Sequence, residues 1–303
     1  MPFLTHLTPL DPGYPSRLRT LDDPPASITT SGGSLEATHV VAVVGSRDAK
    51  PEAAAFARDL AQSLTGAGAV VASGGAEGVD AAAHQGAMEA NGRTWTIAGT
   101  GYGPCFPTAH AAMFATIARG PGAMVWPFAP GYQHRSAFLA RNRVLVAIAD
   151  AIVVVQAGLR SGALHAASWA RKLDKPLWVV PAAPWMDGFA GSRQLLAEGA
   201  RPLSSIELLL ASLRLAPPVT LPDSDPIYSL SPHESEVLGA ISNVPRHLDE
   251  IATRSCQSVQ ATAAALLTLA LENVVVESPP GFFRRRDASH MPKIARQIEK
   301  RSR

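Results

Sequence analysis

Three short stretches carry the side chains best suited to chemistry. The longest, Ser73-Gly74-Gly75-Ala76-Glu77-Gly78-Val79-Asp80, runs through an alanine-rich segment to His84. An apolar run from Ala69 to Ala72 feeds into it, so it reads as strand, glycine turn and helix N-terminus. Glycines let a ligand approach the main chain, and a helix N-terminus presents N–H groups to an anion. Asp80 is placed to cap that helix. The second stretch, Gly45-Ser46-Arg47, follows the β-branched run Val40 to Val44. The third, Gln156 through Gly158, Arg160, Ser161 and Gly162, follows Ala151 to Val155. Amides, hydroxyls and guanidinium groups together suit phosphate.

Catalytic arrangements are poorly represented. Asp80 and His84 share a helix face, but acid–base or metal chemistry needs a third partner, and neither a HExxH pattern nor a carboxylate pair supplies one. His84 reads as a hydrogen-bonded structural residue, and no catalytic centre or metal site is expected. Cys105 and Cys256 have no metal-ligand spacing and read as reduced thiols of a cytoplasmic protein. Gly99-Thr100-Gly101-Tyr102-Gly103-Pro104 invites a dinucleotide reading. Pro104 and the lack of an acidic residue ending the next strand argue against it, so no cofactor is expected.

The elements that must position these residues alternate. Strands are predicted near 40–44, 69–73, 93–98, 122–126, 151–155 and 176–180. Helices are predicted over 51–65, 80–90, 108–119, 136–149, 163–173, 192–198 and 205–212. Alternation implies parallel pairing with right-handed crossovers, and the three turns then share the carboxyl edge of one sheet. Residues 1–37 read as a lead-in packed on the sheet edge, and 38–213 as the α/β domain. Four prolines mark 214–228 as a linker. Over 229–286, helices at 232–242, 247–254 and 258–272 followed by a hairpin read as a winged helix. Its third helix would be the major-groove reader, yet Ser258 to Leu271 holds no Lys or Arg and only Gln260 as a base contact. A protein-contact role fits it better than duplex recognition. A basic tail, 287–303, closes the chain.

The 303 residues carry a net charge of +2, with 47% hydrophobic and 17% charged residues, which describes a globular protein. From Arg284 onward there are 8 basic and 2 acidic residues, which leaves 19 basic and 23 acidic residues, a charge of −4, for the rest. Any nucleic-acid site in the body must therefore be a focused groove of a few arginines. No secretory signal or membrane-spanning run is evident.

VVGSR, SGGAEGVDAAAHQGAM, ARNRVLVAIADAIVVVQAGLRSGAL and GSRQLLAEGA, in that order, resemble the DprA/Smf family from about Tyr14 to Leu210. The resemblance implies an α/β, extended Rossmann-like parallel sheet with a small C-terminal winged-helix domain. It also implies a homodimer that binds single-stranded DNA and loads RecA recombinase during natural transformation. The expected DNA and phosphate site is Gly45, Ser46, Arg47, Ser73, Gly74, Gly75, Phe138, Arg141, Asn142, Arg143, Ser161 and Gly162. Arg47 would be the main guanidinium, and Phe138, Arg141 and Arg143 would flank the strand. Arg141 and Arg143 fall on different sides of their helix, so one can face the glycine turns while the other pairs with a carboxylate. Leu195 and Leu196 are candidates for the dimer interface by that resemblance, and simple core packing suits both equally. Departures from the family pattern are Leu139 for a proline, Gln156 for a glutamate, Val125-Trp126 for Ser-Glu, and Phe106-Pro107 for Tyr-Pro. The rival reading is a nucleotide-processing hydrolase of N-glycosidase type, or a nucleotide sensor. The PGGxGTxxE signature of such hydrolases is missing near Gly158.

Overall fold

Five consecutive small or β-branched residues, Val40–Val44, form a strand whose every side chain is buried. Such a strand needs apolar cover on both faces, and parallel sheets provide it. Val40, Ala42 and Val44 enter one core, while Val41 and Val43 enter a second on the opposite face. The domain is thus three layers, helix–sheet–helix. The computed structural model describes residues 4–216, 231–271 and 274–286. The basic tail 287–303 and most of the predicted linker lie outside them.

In chain order the first unit contains β1 (Leu4–Leu7), α1 (Ser16–Arg19), β2 (Ile28–Gly32), β3 (Val40–Val44), α2 (Pro51–Gly66), β4 (Val70–Ser73), α3 (Val79–Glu89), β5 (Thr94–Ile97), α4 (Ala111–Arg119) and β6 (Ala123–Trp126). It continues through α5 (Ala137–Ile148), β7 (Ala151–Val154), α6 (Gly162–Lys172), β8 (Leu177–Val179), α7 (Ala190–Ala197), β9 (Arg201–Pro202) and α8 (Ile206–Ser212). The sheet has nine strands in the order β1-β2-β6-β5-β4-β3-β7-β8-β9. From β6 to β9 every neighbour is parallel. The chain steps outward from β3 through β4, β5 and β6, then returns to place β7 on the other side of β3. That reversal of strand order leaves a crevice at the carboxyl ends of β3 and β7.

The predicted strands and helices match these elements in type and nearly in extent, and the extended Rossmann-like sheet is observed. The lead-in differs. Residues 1–37 do more than pack against the edge, because β1 and β2 add two antiparallel strands beyond β6. They belong to the same compact unit, which runs to Val219. Tyr14 and Leu18 are buried in the core shared with α5, and Arg17 pairs with Asp150 at 2.9 Å while donating to the carbonyl of Ala37.

The second unit holds α9 (Pro232–Ala240), β10 (Arg246–His247), α10 (Leu248–Arg254), α11 (Val259–Leu271), β11 (Val275–Glu277) and β12 (Phe282–Arg285). Ser231 and Glu234 form a capping box at the start of α9, with Pro232 in its first turn. The predicted hairpin is β11–β12, and β10 joins it to make a three-stranded sheet around a separate core. Three helices with this small sheet form a winged helix.

Candidate nucleic-acid interface

The β7 strand is as apolar as β3, so the two pair in register and carry their turns side by side. Where they end, a cavity of about 840 Å³ opens. Gly45, Ser46 and Arg47 line it from the β3 turn, and Gly158, Arg160, Ser161 and Gly162 from the β7 turn. Phe138, Arg141 and Asn142 line it from α5, and Phe106 from the loop after β5. Gln156 fastens the two turns together. Its side chain accepts from the Lys50 N–H at 2.8 Å and donates to the Asp48 carbonyl at 3.5 Å, while its own carbonyl accepts from the Ser46 N–H. A glutamate here would face the Asp48 carbonyl with no proton to give. Ser161 caps α6 through the Ala163 N–H, and Asn142 donates to the Gly162 carbonyl at 3.1 Å.

Four guanidinium groups line this cavity, from Arg47, Arg135, Arg141 and Arg160, against the carboxylates of Asp48 and Asp80. Arg47 is exposed and pairs with no carboxylate among the described residues. Its Cζ lies 5.9 Å from the ring centroid of Phe138, whose ring meets that of Phe106 at 5.0 Å. A confined cluster with an excess of positive charge, four guanidinium groups to two carboxyls, raises local anion concentration even though the body is slightly acidic.

The β4 turn is built differently. Ser73 is fully buried and donates to the Val43 carbonyl at 2.6 Å, tying β4 to β3. The N–H groups of Gly74 and Ala76 go to Asp80 Oδ2, at 3.1 and 3.4 Å. The Val79 N–H, at the start of α3, goes to the Ser46 carbonyl. Gly78, at φ +74°, lets that helix end approach so closely that an added Cβ would lie 2.3 Å from the Ser46 oxygen. The protein's own oxygens thus take two N–H groups of the turn and the first of α3. Gly78, not Asp80, is the N-cap of that helix, because the Asp80 carboxylate turns back to the preceding turn, and Ser73, Gly74 and Gly75 do not line the cavity.

Arg141 is 6% exposed, with its guanidinium across Gly74 and Nη1 donating to the Ile97 carbonyl at 2.6 Å. It forms part of the cavity wall, not a mobile flank. Burial pulls its pKa down while Asp80 raises it. Burial likewise pushes the Asp80 carboxyl up, against the opposing charge of Arg141 and the N–H groups of Ala76 and Gly74. Arg143 points elsewhere and pairs with Asp23 of the lead-in at 3.3 Å, so it is not brought to the glycine turns. Leu195, 3% exposed, belongs to the core, and Leu196 packs half-buried against the same cluster.

His84 is fully buried below the β4 turn. The Thr94 hydroxyl donates to the Val71 carbonyl, so it must accept from His84 Nδ1 at 2.7 Å, and Thr96 serves Nε2 at 3.3 Å. Burial, with the nearby charge of His110, holds its pKa down at about 3, and the ring stays neutral. Among the described residues no cluster of His, Cys, Asp or Glu could hold a metal ion, and no helix is long and apolar enough to cross a membrane. Arg160 lines the cavity from the third turn, whose guanidinium the sequence already offered, whereas the sequence gives no sign that Arg135 and Phe106 line it. Each lies within or beside a motif, but only the fold tells which basic and aromatic side chains converge.

The family model described as DNA recombination-mediator protein A matches residues 5–214, and that of the DprA winged helix domain matches 221–281. A Smf protein of Synechocystis is 28% identical over 322 residues, spanning 92% of this chain and 80% of that protein. DNA processing protein A of Streptococcus pneumoniae has a similar solved structure, with TM-score 0.65 and 30% identity over 69% of this chain and 74% of that one. The Helicobacter pylori DNA processing protein A, solved for its single-stranded DNA binding mode, gives TM-score 0.63 and 28% identity over 70% of this chain and 95% of that one. Matching in fold, in motif order and in both domains, this chain belongs to the DNA recombination-mediator protein A family, the DprA/Smf proteins.

Proposed function

We propose that this protein binds single-stranded DNA in the cavity between the β3 and β7 turns. One observation carries the reading: four guanidinium groups and the Phe106–Phe138 ring pair meet at the point of strand reversal, with Arg47 free of any carboxylate partner among the described residues. Arginines hold phosphates, and rings stack bases whatever their identity. Bases are available for stacking when they are unpaired, which favours a single strand over a duplex. The similar Helicobacter pylori protein, described by its single-stranded DNA binding mode, supports the same reading.

The sequence resemblance extends the proposal to a cytoplasmic homodimer that protects incoming single strands and hands them to RecA recombinase in transformation. The dimer surface lies elsewhere than Leu195. The protein binds the strand without chemistry, since Asp80 and His84 are both engaged in internal hydrogen bonds. Binding to single- and double-stranded oligonucleotides across a salt series tests this. Single strands bind more tightly, and Arg47→Ala weakens them about tenfold regardless of sequence, since a phosphate contact carries no base information. Unchanged affinity at matched salt removes Arg47 from the site. Nucleoside monophosphates incubated with the protein release no base. Turnover that disappears on altering Glu77 or Asp80 would point to the hydrolase instead.

A further inference from the structure

Beside the arginine-lined cavity lies a second, smaller pocket of about 280 Å³, walled by β1, β2, β5, β6, α4, the loop after β5 and Gly74 of the β4 turn. We infer that it receives one unstacked base of the strand whose phosphates lie in the cavity; the inference rests on the single-strand reading above.

Its walls are mostly apolar and aromatic. Trp126 and Tyr102 stand edge to face, with centroids 5.3 Å apart, and Leu4, Phe114 and Met124 add apolar surface. Such a wall offers a planar ring system a stacking surface that does not depend on base identity. At the inner side sits one polar anomaly. Ser31 is 3% exposed, lines the pocket, and its Oγ has no hydrogen-bond partner. A buried hydroxyl left unpaired is costly, and it can both donate and accept. The edge of any base presents a carbonyl, a ring nitrogen or an amine to satisfy it. An aliphatic chain would fill the walls and leave Ser31 unpaired.

Phe106 connects the two sites. It lines both the pocket and the cavity, and its ring contacts Phe138, which Arg47 faces from the cavity side. A strand running past Arg47 therefore reaches the pocket mouth beside that ring.

The test compares two oligonucleotides of equal length and charge, one of thymidines and one of abasic sites. Ala115 lies exposed on α4 at the pocket wall, so Ala115→Trp fills the pocket without entering the core. The variant is expected to weaken the thymidine strand about fivefold or more, the low end for one stacked base, and to leave the abasic strand unchanged. Equal weakening of both strands, or of neither, overturns the pocket. Arg47→Ala instead weakens both strands alike, so failure of the phosphate site is read separately. A second measurement uses the unaltered chain. Cys105 is exposed on the pocket lining, and Cys256, exposed in the second unit, serves as reference. Saturating thymidine strand slows iodoacetamide at Cys105 about fivefold relative to Cys256, while the abasic strand does not. Equal rates with both strands refute the assignment.

Discussion

The turn after β4 and the turns after β3 and β7 lie on the same sheet edge with similar glycine-rich sequences, yet their polar groups have opposite fates. At the β4 turn, Asp80 takes two backbone N–H groups, the Ser46 carbonyl takes a third, and Arg141 covers Gly74. At the other two turns, Gln156 and Ser161 brace the backbone from behind, and Arg47, Arg160 and Gly162 remain exposed at the cavity. A glycine turn at a helix N-terminus is an anion site only while nothing internal has claimed its donors. The closed turn therefore supports the fold, and the open pair presents the chemistry.

Substitution separates the two. At Gly74 an added Cβ would lie 1.9 Å from Arg141 Nη1, and Arg141 is held by its bond to Ile97. Gly74→Ala should cost about 2–3 kcal/mol of stability, as overpacking does. At Gly162 nothing lies within 4 Å of the added atom, and Gly162→Ala should stay within about 0.5 kcal/mol. Denaturant melts of the two variants check this; similar losses would erase the distinction.

Acid should strike the closed side next. His84 has a folded pKa of about 3 against an ordinary 6.5, so the folded state binds fewer protons than the unfolded one between those values. Its stabilising contribution is complete above about pH 6.5 and is lost as pH falls toward 3, at up to about 1.4 kcal/mol per pH unit. Stability profiles from pH 7 to 4.5 should fall more steeply for the unaltered protein than for His84→Gln. Parallel profiles would mean that the imidazole is not what resists protonation.

Arginine replacement sharpens the contrast on the open side. Arg160→Ala should weaken single-strand binding a few-fold and reduce the salt slope by about 0.7, the value for one phosphate contact on a single strand. An unchanged slope would place Arg160 outside the strand's path. The smallest effect belongs to Arg143→Ala. It breaks an exposed pair with Asp23 worth less than about 1 kcal/mol and leaves strand affinity unaltered in the same titration.

Much of the fold was legible beforehand. Apolar β-branched runs at Val40 and Ala151, alternating with helical segments, imposed a parallel sheet, because only cover on both faces suits such strands. The capping box at Ser231 and Glu234 was likewise readable, being a contact between near neighbours. β1 and β2 are hard to read because Ile28-Thr-Thr-Ser-Gly, although β-branched at three positions, is short, largely polar and closed by glycine, and pairing with β1 and β6 fixes it as a strand. Leu195 shows the same limit. A leucine on a short helix suits an interface or a core, and only packing assigned it to the core.

From the order of residues alone came the layered α/β plan, the family, and the gathering of three glycine turns at one sheet edge, since periodicity and local turn chemistry depend on neighbours in the chain. Tertiary structure alone decided which turn stays open, that Arg141 is buried while Arg143 faces the lead-in, and that Arg135 and Phe106 join the cavity. Those outcomes hinge on contacts between residues tens of positions apart, such as Gly74 with Arg141 or Lys50 with Gln156, which no local pattern records.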